Sequence, residues 1–311
     1  MIRLVGIRLA GGLATLFAAS ILIFAVMQLL PGDAATAVLQ QGAADKTVLA
    51  QLRHEYGLDR PVAVRYVEWV GGMAHGDFGR SPGSGLAVSS LIHTPLRNTA
   101  VLLTVTLILM FPLAIAIGTA SALSRDKWLD GGLQTAVLVF ASLPSFVVGI
   151  ALILLFAFTW KVLPAVSFDL SVKSVVLPVA TLVLGWVPFT ARMVRAGIVD
   201  VLDSDYVQMA RLKGIPERRV VRNHVLPNAL VPAIQAFALT AASMPAGIVI
   251  VEYLFSFQGI GNILVQSVEN RDTATVEAIT LILVVVYIVA NLASDLATVL
   301  LTPRLRTRAG G

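Results

Sequence analysis

The chain contains no cysteine, which excludes disulfides, thiolate metal sites and cysteine nucleophiles together. Charge is scarce too: Asp, Glu, Lys and Arg make up 13% of its 311 residues, where a soluble domain carries roughly 25%. No G-x-x-x-x-G-K-[ST] string occurs, so nothing here cradles the phosphates of a nucleotide in that way. The four histidines (His54, His75, His93, His224) lack metal-ligand spacing. His54-Glu55 begins an H-E-x-x-H string, but Leu58 stands where the second ligand belongs. No metal site is therefore expected. Gly79-Arg80-Ser81-Pro82-Gly83 spells G-x-S-x-G, yet the residue after the serine is proline and has no N–H to build an oxyanion hole.

What the chain has in abundance is apolar surface, 57% of all residues, more than a soluble core of this length calls for. Its solvent is the bilayer. The net charge of +5 then reads as cationic loops held at the cytoplasmic face, and nucleic acid is not an expected partner. A bilayer core takes about 20 apolar helical residues. Runs of that kind cover Leu9–Leu30, Asn98–Leu123, Gly131–Trp160, Ser174–Ala191, Val225–Val251 and Ala278–Leu301. The fold class is an all-α integral membrane protein with six spans, the first a retained helix and not a cleaved signal peptide.

Lys and Arg set the orientation. One side carries Arg3, Arg8, Arg125, Lys127, the seven cations from Arg192 to Arg222, and Arg304, Arg306 and Arg308; the other short loops hold only Lys161, Lys173 and Arg271. Fourteen against three puts both termini in the cytoplasm, as expected of a multi-pass protein of the plasma (inner) membrane. The chain then divides into an N-terminal end with its first span (1–30), an extracytoplasmic segment (31–97), a transmembrane core (98–303) and a short cytoplasmic tail (304–311). In the outer segment, 45–73 reads as helix punctuated by Gly57 and Pro61, followed by the turn-rich 76–85. Prolines recur inside the spans (Pro112, Pro144, Pro178, Pro188, Pro232, Pro245), which suits kinked helices or ordinary transmembrane proline usage. Glu252 and Asp295 lie near helix ends, where a boundary position explains them. Scarce charge at mid-depth argues for an external energy source.

The most informative segment is cytoplasmic, about 203–227. Asp203, Ser204 or Asp205 supplies a helix N-cap, Arg211 and Lys213 suit the C-terminal end, Gly214 the C′ position, and Pro216 the first turn of a second helix running to Pro227. Val207, Ala210 and Arg211 share one face, and the small Ala210 would let a partner approach. Physics alone leaves a second reading open: an amphipathic helix on anionic headgroups, with Arg218, Arg219 and Arg222 toward lipid.

Ala210, Gly214, Leu226 and Pro227 match the spacing of the cytoplasmic "EAA" loop of permeases in binding-protein-dependent ABC importers, although Gln208 and Met209 replace its Glu and first Ala. The whole chain resembles the dipeptide/oligopeptide permease family, B-type subunit. Leu30-Pro31-Gly32-Asp33, Tyr56–Pro61, Gly76–Ser81, Leu143–Phe146, Pro227–Pro232, Val251-Glu252, Gly259-Ile260-Gly261 and Pro303-Arg304 carry the resemblance in that order. It implies a type I importer permease that does no covalent chemistry, working by alternating access beside a second, homologous permease subunit. Two ATPase subunits would bind ATP and Mg, leaving this chain no cofactor of its own, and an extracytoplasmic solute-binding protein would deliver peptides or related solutes. Tyr206, Val207, Ala210, Arg211, Lys213 and Gly214 would couple to the ATPase. Asp77, Phe78, Arg80 and Ser81 are candidates for docking the binding protein. Small polar groups on the spans (Ser142, Ser145, Gln235, Thr240, Ser243, Asn291) are candidates for the translocation path.

Overall fold

The computed structural model describes residues 2–29, 46–55 and 57–301. Leu30–Asp33, Tyr56, Pro303-Arg304 and the basic tail lie outside the described residues. In order, the helices are α1 (Ile2–Leu29), α2 (Lys46–Glu55), α3 (Val62–Ala74), α4 (Val88–Leu123), α5 (Trp128–Ser142) and α6 (Ser145–Leu152), which runs into a π-helical segment (Ile153–Thr159). Then come α7 (Val172–Leu202), α8 (Asp205–Leu212), α9 (Glu217–Val220), a second π-helical segment (Val221–Val225), α10 (Leu226–Leu254), α11 (Ile260–Glu269) and α12 (Thr273–Leu301). Among the described residues, β-structure is confined to a single bridge between Arg80 and Ala87.

Five helices (α1, α4, α7, α10 and α12) are each long and apolar enough to cross a bilayer. The sixth span, expected as one run from Gly131 to Trp160, is instead a bent pair: α5 and the α6 segment meet at 104° and satisfy the criterion only together. Pro144 explains the break. It offers no N–H to the preceding turn, and it holds Leu143 in an extended conformation (φ −89°, ψ 130°).

Two further boundaries move. α4 starts at Val88, soon after the turn-rich 76–85 and ten residues ahead of the apolar run that begins at Asn98. α7 runs past Ala191 to Leu202 because its last turns pack on protein, burying Val194 and Ile198. A run read from apolar composition stops at Arg192; the helix has no reason to.

The core lies where α4, α7 and α10 meet. Leu102, Met110 and Ala114 of α4 pack with Leu177, Leu182, Val187 and Ala191 of α7 and with Met244, Ile248 and Val251 of α10. A Cβ added at Gly118 would lie 2.7 Å from the Ala191 carbonyl oxygen, so this glycine lets the two backbones touch. α1 stands apart from that core and docks on α12, with Arg8 paired to Asp295 at 3.1 Å. Its outward Leu13, Phe17 and Leu22 are more than half exposed, a surface suited to acyl chains.

Outside the spans, α3 folds back on the end of α1. Tyr66 and Trp69 stack around Phe24 with ring centroids 5.5 and 5.7 Å away, and the Tyr66 hydroxyl lies 2.9 Å from Ser20 Oγ. Gly57 takes φ +64° in the turn between α2 and α3, a conformation that favours glycine.

Candidate functional site

The 203–227 loop is built as a rigid mount. Ser204 is the N-cap, but through its carbonyl, which receives the amides of Val207 and Gln208 at 3.1 Å each; its hydroxyl turns back to the Val201 carbonyl. At the other end Gly214 has φ +73°. Its amide donates to the Arg211 carbonyl (2.9 Å) and the Ile215 amide to that of Ala210 (3.3 Å). This is the double bond pattern of a Schellman cap. Arg211 then reaches over the turn to Glu217 with two hydrogen bonds, Nη2–Oε1 2.6 Å and Nε–Oε2 3.1 Å. The guanidinium holds the Glu217 carboxyl below the usual glutamate range, and the carboxylate raises Arg211 in turn. The second helix does not stop at Pro227. Pro216 caps α9, which passes through the π-helical segment into α10, so the loop joins the fifth span without a break.

The two faces of α8 are opposite to the arrangement read from spacing. Val207 is wholly buried and Ala210 nearly so. They pack within this chain, against Ala122 of α4, Val194 and Ile198 of α7, Val220, Val225, and Ala229 and Ala233 of α10. Ala210 is small because its own bundle crowds it, not because it is offered outward. Tyr206, Met209 and Leu212 face out, exposed by 46%, 53% and 81%. Arg211 and Lys213 flank them, also exposed. Helical spacing groups residues by face but does not say which face meets the protein's own core.

At the far end of α10 lies a residue that the sequence reading placed at a boundary. Glu252 is wholly buried. Its carboxylate accepts the Thr99 hydroxyl of α4 at 2.6 Å and the Gly261 amide at 2.7 Å. Thr99 Oγ1 accepts the Ile260 amide at 2.9 Å. Gly259 and Gly261 make the room: a Cβ on Gly259 would collide with the Glu252 carboxylate, and one on Gly261 would lie 2.5 Å from Val249 Cα. The signal was present as a glutamate seven residues ahead of Gly259-Ile260-Gly261, but nothing local says that the chain doubles back onto it.

Two family descriptions match this chain. The "Binding-protein-dependent transport system inner membrane component" covers residues 110–307, and the corresponding N-terminal component covers residues 1–117. The chain belongs to this family. The permease is 32% identical over 306 residues to a protein of Sinorhizobium fredii described as "Probable peptide ABC transporter permease protein y4tP", spanning 96% of this chain and 97% of that one. It is 34% identical over 299 residues to the "Glutathione transport system permease protein GsiC" of Salmonella typhi, again over 96% and 97%. A solved amino acid ABC transporter chain shares its fold, with a TM-score of 0.55 at 18% identity over 68% of this chain and 94% of that chain. It is thus the membrane-spanning permease subunit of an ABC importer, a multi-pass protein of the inner membrane that works with ATPase and binding-protein partners.

The six candidate path residues lie on four helices: Ser142 on α5, Ser145 on α6, Gln235, Thr240 and Ser243 on α10, and Asn291 on α12. Thr240 is buried against α7, its hydroxyl 3.3 Å from that of Thr190 and bonded to the Ala236 carbonyl. Ser243 and Ser142 each donate to carbonyls of their own helices, and Asn291 lies in the groove between α1 and α12, its amide donating to the Tyr287 carbonyl. Ser145 and Gln235 are half-buried. Of the outer candidates, Asp77 and Arg80 are exposed, while Ser81 is buried and Phe78 packs beside Ile92, Ile260 and Ile279. Asp77 Oδ1 accepts the Gly79 amide at 2.9 Å, and the Ser81 amide and carbonyl pair with Leu86 and Gly85 at 2.9 and 2.8 Å. The segment is an ordered loop over the end of the bundle where α11 begins.

Proposed function

We propose that this permease is one half of a heterodimer with a second, homologous permease, driven by two ATPase subunits that bind ATP and Mg, and that it moves peptides inward by alternating access. The relatives at 32–34% identity, named for peptide and glutathione transport, support that solute class. The chain itself does no covalent chemistry; hydrolysis belongs to the partners. Both termini are cytoplasmic, so α8 faces the ATPase side, and a solute-binding protein docks on the outer loop that includes Asp77 and Arg80. ATP shifts the permease between states because it binds the closed ATPase pair more tightly than the open one.

The observation that carries the coupling role is the mounting of α8. One face is locked by Val207, Ala210, the Gly214 cap and the Arg211–Glu217 pair, while Tyr206, Met209 and Leu212 project as an apolar knob. A helix meant only to float on lipid needs no such anchorage to the spans. Replacing both Met209 and Leu212 with Asp leaves the internal face untouched and places charge at the presented one. The double variant should insert normally yet lose the ATPase subunits on pull-down and lose uptake. Full retention of the ATPases with weakened membrane binding would favour the headgroup reading instead.

A further inference from the structure

Coupling through α8 explains how the inner end of the permease responds to ATP. It leaves open how the outer end follows, and the Glu252 network bears on that. The 29 residues of α10 span about 43 Å at 1.5 Å per residue, with the coupling loop at one end and Glu252 at the other. Beyond Glu252 the chain turns through Phe257–Gly259 into α11. The first turn of α11 is not held by its own side chains. Its Ile260 amide ends on Thr99 of α4, and its Gly261 amide ends on Glu252 of α10. Asn98 adds a bond from α4 to the Gln258 carbonyl at 2.7 Å. α11 in turn lines a half-polar outer cavity of about 430 Å³ with Ser81, Ser84, Asp272 and Thr275.

A surface cap for a short helix needs only a serine or aspartate beside it. Here the cap is a wholly buried carboxylate from another helix, in space cleared by two glycines, and bridged to a third helix by one hydroxyl. Charge buried in a membrane protein is costly and marks function by default. We propose that Glu252, with Thr99, is the positioning residue that makes α11 travel with α10, so that the outer rim of the pathway opens and closes with the coupling helix. The proposal rests on the coupling reading above.

The test uses the full complex with cysteine-free partners and Val268→Cys as reporter, since Val268 is 54% exposed on α11 and the chain has no cysteine of its own. The reaction rate with an impermeant maleimide is compared without nucleotide and with ATP trapped by vanadate, in parallel with uptake per ATP hydrolysed. Thr99→Val removes the bridging hydroxyl at nearly constant shape; Thr99→Ser retains it; Glu252→Gln removes the charge and one of the two acceptor oxygens that Thr99 and the Gly261 amide share. In the parent complex the label rate should change with nucleotide. Thr99→Val and Glu252→Gln should lose that change and lower uptake per ATP by about tenfold or more, the scale of one lost buried hydrogen bond, while hydrolysis persists. Thr99→Ser should restore both. If Glu252→Gln does not assemble, Thr99→Val decides. Variants that respond to nucleotide and transport like the parent overturn the clamp and leave Glu252 as a cap. A parent complex whose label ignores nucleotide overturns the coupling reading, and the clamp with it.

Discussion

Gly214 and Ala210 were both legible as special positions, but for different depths of reason. A glycine after Arg211 and Lys213 is a helix-end signal that depends only on neighbours, and its φ of +73° agrees with the left-handed conformation that signal implies. What Ala210 touches depends on Val220, Val225 and the α7 surface, which only the folded chain brings near. Gly214→Val places a branched side chain in the left-handed region, costing roughly 1–2 kcal/mol, although a Cβ there would meet no neighbour. Amides of residues 207–215 should then exchange about tenfold faster or more, with the spans unchanged. Ala210→Asp should now act within this chain, burying an unpaired charge among valines and loosening α8 itself. The Arg211–Glu217 pair predicts a pH effect. Because Glu217 titrates below its usual 4.5, its contribution is complete above that value and is lost as pH falls through the lower, folded one. Loop protection should therefore weaken only as the pH falls below 4.5, and Glu217→Gln should remove that dependence. Both groups are well exposed, so the effect is small.

At the level of elements, apolar composition located six membrane-crossing stretches, because burying about 20 apolar residues in lipid is a local property. It misplaced their ends, because α4 and α7 continue where protein replaces lipid as the surround. It also read the α5–α6 pair as one span, with Pro144 marking a kink at most; a proline marks a break, while the 104° angle is fixed by what α6 packs against. That packing includes Gly149, where a Cβ would lie 2.5 Å from Leu254. The strongest element-level test is the α4–α7 contact. At Gly118 an added Cβ meets the Ala191 carbonyl and Val194 at 2.7 Å, and a backbone cannot swing aside as a side chain does. Gly118→Val should push the two helices apart and destabilise the subunit by about 1–3 kcal/mol or more, seen as a lower melting temperature in detergent. Gly131→Val, at a position with nothing within 4 Å, is the control and should leave it unchanged.

For the whole molecule, the fold sorts the cations of its short loops by end. The start of α1, the end of α4, the start of α5, the end of α7 and the whole of α8 lie together, joined by Arg8–Asp295, Arg125–Asp203 at 2.9 Å and Arg195–Asp130 at 2.6 Å. Lys161 and Arg271 sit in turns at the opposite end, where the Ser167 amide meets the Phe255 carbonyl past the close of α10. Since cation-rich loops stay on the cytoplasmic side, the end that carries α8 should be inside and the 79–87 loop outside. Single introduced thiols report this cleanly, because the chain supplies none. Ser81 is buried and would be a poor reporter; Ser84 is exposed in the same loop, and Gln208 is exposed on α8. In intact cells an impermeant maleimide should label Ser84→Cys, and should reach Gln208→Cys only after permeabilisation. The reverse pattern would put α8 on the outer face, away from any cytoplasmic ATPase, and the coupling role would fall with the orientation.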